Sequence, residues 1–201
     1  MIITRKLAQL VLAVTICFAF TSSPALAHSF NVVLVIDSVD SASNQGSELV
    51  DGFLLATAER DSHPSQESDG HLGGLDVYLT VIMVTSSPAK AIEEIVQNAN
   101  IDIVAAMVRE PVQAMISQGL DSENIAFLVP GKTPFSDSRR PGVAAFISAY
   151  ESKYDTSPSL RAAQGYNAAR RIDLAVRSQG GIESKALLLQ SFMETESSFA
   201  W

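Results

Sequence analysis

The chain predicts an α/β fold: a doubly wound parallel sheet of about four strands, Rossmann-like, followed by a helical C-terminal segment. Two observations predict it. Between Phe30 and Val129, four apolar runs rich in β-branched residues alternate with stretches of helical apolar spacing. From Pro141 to Phe199 only helical patterns remain.

Residues 1–27 precede this fold. Arg5 and Lys6 form a basic start, Leu7 to Phe20 is nearly continuous apolar sequence, and Ala25-Leu26-Ala27 is a small-x-small cleavage signal. That order is a secretory signal peptide. An apolar run of about 14 residues falls short of the roughly 20 that span a bilayer, so cleavage after Ala27 and a periplasmic location are expected. Cys17 lies in the apolar run behind Ile16, where lipidation would want a small residue. Cleavage removes this only cysteine, so residues 28–201 are expected to form one lobe without disulfide or thiolate chemistry. It also removes Arg5 and Lys6, taking the formal charge from −8 to −10. Such an acidic protein is a poor partner for nucleic acid or anionic membrane.

Phe30–Ile36 (FNVVLVI) is a continuous apolar run, as in a strand buried on both faces. Asp37–Gln45 is polar and connects it to Gly46–Arg60, where Leu49, Val50, Phe53, Leu54 and Ala58 have helical spacing. Asp61–Gly74 is rich in Ser, Asp, Gly and His and reads as a loop. Leu75–Val84 is the second strand. Ser86 and Ser87 can cap a helix with Pro88 in its first turn, running to about Asn98. Ile101–Val108 is the third strand, and Glu110–Gln118 a short helix that Gly119 can end. Asn124–Val129 is the fourth strand. Right-handed crossovers place these strands in the order second, first, third, fourth, with helices on both faces. Pro130–Pro141 is a loop with three prolines, and helices are expected near 142–154, 159–178 and 183–193.

The late helix pair, PGVAAFISAYESKYDTSPSLRAAQGYNAARR, resembles the corresponding pair of type I periplasmic solute-binding proteins of the branched-chain amino-acid class, with Phe146, Tyr150 and Tyr154, then Pro158, then Tyr166-Asn167-Ala168. Gly46 to Phe53 resembles that family's first helix, Gly73-Gly74 the lead into its second strand, Ser87-Pro88-Ala89 the start of its second helix, and Val129-Pro130 the end of its fourth strand. The resemblance implies an exported component of an ABC uptake system for amino acids or other small polar solutes, non-enzymatic and without cofactor. Its implied partners are a small polar solute and a membrane permease or periplasmic protein, with a homodimer a further expectation. The alternative is a degenerate lobe that binds no ligand and serves as a periplasmic protein-interaction or sensor accessory partner.

The chain departs from the family pattern in three places. Only about a dozen residues separate Val129 from Val143, where the family inserts a second lobe. The sequence given ends at Trp201, before the family's final strands. The turn that should hold a ligand carboxylate reads Arg109-Glu110-Pro111, with no Gly and with an acid where an anion would dock. Weak or no affinity for branched-chain amino acids is therefore expected.

Catalytic motifs are missing. Gly131-Lys132-Thr133 follows a strand, but Ala126 stands where a phosphate loop needs its first Gly, and Pro134 blocks the following helix. There is no Gly-x-Ser-x-Gly elbow. His28, His63 and His71 lie on polar sequence and read as solvent-exposed; a copper site at an amino-terminal His28 is the competing idea. Arg139-Arg140 and Arg170-Arg171 read as surface pairs for acids, and Tyr150, Tyr154 and Tyr166 as packing residues. Ligands of open α/β sheets bind outside the strand carboxyl ends, so Ser41, Ser43, Ser86, Ser87 and Arg109 are the candidate solute-binding side chains.

Overall fold

The computed structural model describes residues 29–37, 44–61, 67–84, 87–97, 100–120 and 123–198. The N-terminal 27 residues read as a signal peptide lie outside them. The elements in order are β1 (Ser29–Asp37), α1 (Gln45–Ala58), β2 (His71–Leu72), β3 (Leu75–Val84), α2 (Pro88–Gln97), β4 (Ile103–Met107), α3 (Glu110–Gly119), β5 (Ala126–Leu128), α4 (Pro141–Tyr154), α5 (Leu160–Gln179) and α6 (Lys185–Ser198).

The sheet order is β2-β3-β1-β4-β5. β1 pairs in parallel with β3 and β4, and β4 with β5, so the four long-range strands have the expected order and direction. One expectation needs correction. The stretch 61–74 is not all loop, and the sheet has five strands rather than about four. β2 lies in that stretch and pairs antiparallel with β3 through His71–Asp76 and Leu72–Leu75. Gly73 and Gly74, with φ of 66° and 88°, form the two-residue turn that this hairpin requires. A strand of two residues is too short to show a period of two.

β1 shows why the sheet is covered on both faces. Phe30, Val32, Leu34 and Ile36 join one core with α1, α4, α5 and α6. Val33 and Val35 point the other way, into a second core with Ala91 and Ile95 of α2 and Val112 and Ile116 of α3. Successive strand residues face opposite sides, so an unbroken apolar run feeds two cores at once.

Several polar side chains join elements distant in sequence. Asp102 accepts from the Asn31 amide at 3.0 Å and pairs with Lys185 at 2.9 Å, tying α6 to the amino ends of the strands. Asp173 of α5 accepts from the Gly73 amide at 2.8 Å, fixing the hairpin turn. Arg171, read from the sequence as a surface residue, is only 1% exposed. It donates to Thr195 Oγ1 at 3.1 Å and to the carbonyls of Val129 and Phe192, joining α5 to α6 and to the end of β5. Burial lowers its pKa to about 10, opposed by the nearby Glu196, so it stays charged at neutral pH. Arg139 and Arg140 share Asp137 at 3.2 and 3.8 Å, a surface arrangement.

The tyrosines of the late helices pack as expected. The Phe146 and Tyr166 rings lie 4.8 Å apart, and Tyr150 and Tyr154 lie 4.6 Å apart. Tyr154 donates to the Asp51 carbonyl, and Tyr166 to Glu59 Oε2 at 2.8 Å. Burial, reinforced by the charge of Asp51, pushes Tyr150 and Tyr154 up to about 12. Tyr166 is raised further, by burial and its bond to Glu59. An unfolded tyrosine titrates near about 10. Between about pH 10 and 12 the folded chain thus holds protons that the unfolded chain has lost, and stability must fall as pH rises through that window. Tyrosinate absorbance and circular dichroism followed together should show these three ionising with unfolding. Their ionisation in a chain of undiminished dichroism would contradict the packing.

Candidate functional site: the crevice between β1 and β4

Crossover direction picks out one position on the sheet. From β1 the chain passes through α1 to β3 on one side; from β3 it passes through α2, on the opposite face, to β4 on the other side of β1. The helices following the adjacent strands β1 and β4 therefore lie on opposite faces. This opens a crevice outside their carboxyl ends, where open α/β sheets bind ligands.

Among the described residues, Asp37 and Arg109 face each other at the crevice. Asp37 is the last residue of β1 and is buried. Arg109 is the N-cap residue of α3, with φ −63° and ψ 150°, and its side chain is 62% exposed. Asp37 Oδ2 accepts from the Arg109 amide at 3.4 Å, and Oδ1 lies 3.9 Å from Arg109 Nη1. The carboxylate thus has a fixed place at the crevice floor. The guanidinium is held only loosely, 3.9 Å from Asp37, and retains donors for an incoming acceptor. Asp37 ends an apolar strand, and the sequence reading passed over it as the start of a connecting loop. Its signal was an acid at the carboxyl end of a buried strand next to the topological switch.

Beside the crevice lies a depression of about 310 Å³, lined by Ile36, Asn44, Gly46, Ser47, Val50 and Met83. Asn44 adopts the left-handed conformation with φ 59°, and its carbonyl accepts from Ser47 Oγ at 2.7 Å. A groove of about 350 Å³ between α5 and α6 is larger. Several of its polar groups are engaged internally, Gln190 with Glu194 and Thr195 with Ser191, and it lies away from the switch point.

Of the candidates from sequence, Arg109 stands in the crevice. Ser87 is half-buried ahead of α2, and its carbonyl accepts from the Lys90 amide at 3.2 Å, the position expected of a cap. Ser41, Ser43 and Ser86 lie outside the described residues.

His71 corrects another expectation. It is buried, with Nδ1 and Nε2 each 3.0 Å from a carboxylate oxygen, of Asp61 and Asp76 respectively. Ser68 also donates to Asp76 at 3.1 Å. The sequence showed a histidine in polar surroundings, but the hairpin folds it under the end of α1. It sits at the amino end of β3, across the sheet from Asp37 and Arg109, and takes no part in chemistry there. His28 and His63, the remaining elements of the copper idea, lie outside the described residues. Among the described residues no group of three or more His, Cys, Asp or Glu is arranged to hold a metal ion, and no helix is long and apolar enough to cross a membrane.

Comparison with known protein families, curated proteins and solved structures yields no significant match. The functional reading therefore rests on the residues and their geometry.

Proposed function

We propose that this chain is an exported solute-binding component with the lobe architecture of type I periplasmic solute-binding proteins, serving an ABC uptake system and holding a small polar solute at the β1–β4 crevice. The carrying observation is the pairing of a buried Asp37 with a largely exposed Arg109 at the switch point. A carboxylate beside a guanidinium offers an acceptor for ammonium or hydroxyl groups and donors for hydroxyl or carbonyl oxygens, the complement of a small polar solute. The N-terminal leader pattern supports a periplasmic location.

Calorimetric titration of the purified protein with a panel of small polar solutes tests this. A solute that binds should lose at least about tenfold in affinity in Arg109→Ala and in Asp37→Asn, since a charge-assisted hydrogen bond contributes about 1.5–3 kcal/mol. Leucine, isoleucine and valine are expected to bind weakly or not at all. Glu110 and Pro111 form the first turn of α3, so a hydrophobic amino acid's carboxylate would meet a negative side chain at that helix start. Micromolar binding of any of the three overturns this account of the turn. A panel without a binder, or binding indifferent to both substitutions, removes the crevice as the site.

A second reading is a periplasmic protein-interaction partner that binds no solute. Val81 and Met83, successive residues on one face of β3 with 39% and 54% exposure, favour it. A neighbouring permease and ATPase in the genome would favour the transport reading; a neighbouring sensor would favour this one.

A further inference from the structure

The start of a helix offers amides and partial positive charge to an anion. At the start of α3 most of those amides are already engaged. The Arg109 amide donates to Asp37 Oδ2 at 3.4 Å. Pro111 has no N–H to give. The Val112 and Gln113 amides both donate to the Arg109 carbonyl, at 3.0 and 3.1 Å. The remaining amide of the turn belongs to Glu110, whose own carboxylate is exposed beside it. An approaching carboxylate therefore meets two acids, Asp37 and Glu110, and one guanidinium.

Asp37 itself stands where such an anion would be held. Its side chain is 10% exposed. An ionised carboxylate has about four lone-pair sites. Among the described residues, those of Asp37 meet one long amide bond and the Arg109 Nη1 at 3.9 Å, which is beyond hydrogen-bond distance. A buried carboxylate without close donors is costly, so a ligand that supplies them gains free energy here. A hydroxyl supplies one neutral donor. An ammonium supplies three and balances the charge as well. The Arg109 side chain, 62% exposed, is left to donate to a neighbouring oxygen of the same ligand.

We propose that the solute held at this crevice is a small amine, with its ammonium on Asp37 and an adjacent hydroxyl or carbonyl oxygen on Arg109, and that carboxylates are turned away by Asp37 and Glu110. The inference rests on the solute-binding reading above and names the chemical class of the solute.

Nuclear magnetic resonance titration of the purified protein at neutral pH tests it with ethanolamine, ethylene glycol and glycolate. These probes share a two-carbon skeleton and carry an ammonium, a hydroxyl and a carboxylate beside the same hydroxyl. The amides of Asp37, Arg109 and Glu110 report binding. Ethanolamine should bind about tenfold or more tightly than ethylene glycol, as a charge-assisted hydrogen bond outweighs a neutral one. Glycolate should leave these amides in place. Asp37→Asn, nearly the same shape, should remove the preference for ethanolamine. Arg109→Gln should weaken both ethanolamine and ethylene glycol and keep the preference. The order of the probes on the unaltered protein and on Arg109→Gln decides the matter should Asp37→Asn impair folding. Glycolate binding as tightly as ethanolamine overturns the proposal, and so does a preference that survives Asp37→Asn. Equal binding of ethanolamine and ethylene glycol overturns this inference and leaves the solute reading standing. No shift with any probe removes both.

Discussion

Gly165→Ala is expected to destabilise the protein by about 3 kcal/mol or more. α1 and α5 cross with their backbones nearly touching. A Cβ on Gly165 would lie 1.9 Å from the Leu49 carbonyl oxygen, and one on Gly52 would lie 1.9 Å from that of Ala162. In each case the obstacle is helix backbone, which cannot rotate away as a side chain can. The helices must separate, and the packing of Leu49, Phe53, Ala162 and Ala163 opens with them. Overpacking of a core typically costs about 1–3 kcal/mol and more where backbone must move. Against a total stability of about 5–15 kcal/mol for a domain, that is a large fraction. Urea denaturation of Gly165→Ala and Gly52→Ala measures the loss. An unchanged midpoint in either variant would mean that the helices do not cross this closely.

Arg171→Met should cost about 3 kcal/mol, because the guanidinium joins three elements at once. Its fork reaches the Phe192 carbonyl and Thr195 in α6 and the Val129 carbonyl at the end of β5. Hydrogen bonds to a charged group contribute about 1.5–3 kcal/mol each. Relief from burying a cation offsets part of the loss. Methionine fills the volume but supplies no donor. Arg171→Lys keeps the charge but cannot span the three acceptors with one planar fork, so it should recover only a small part. Limited proteolysis adds a local readout. Cleavage within α6 should quicken in Arg171→Met before global unfolding, since Leu188 and Phe192 would then be the main anchors of that helix. Equal protection of α6 in both proteins would assign its attachment to packing and to the Lys185–Asp102 pair.

These two residues also show how far the chain could be read before folding. Gly165 stood in the Gly-Tyr-Asn-Ala phrase that prompted the family resemblance, yet its physical role depends on Leu49, more than a hundred positions earlier. Arg171 sits next to Arg170 in an arginine pair that local sequence cannot divide into surface and core. Arg170 remains near the surface, paired with Asp173 at 3.9 Å, whereas Arg171 faces inward. Only the direction of the helix face separates them. The crevice was half legible. Arg109 was identified from its place after a strand, but Asp37 was not, because an acid at the end of an apolar run looks like the first residue of a polar loop until its strand is set beside β4.

The alternation of apolar runs with helical spacing was enough to establish the α/β class, the four parallel strands with their order, and the three closing helices. These depend on period and on the right-handed crossover, both of which are local properties of the chain. The hairpin strand β2, the buried histidine, the buried arginine and the Asp37–Arg109 pair came from the tertiary structure alone. Each depends on a partner far away in sequence, His71 on Asp61 across the hairpin and Asp37 on Arg109 across two crossovers. A burial or a charge pair of that kind is a property of where two segments meet, and neither segment carries it alone.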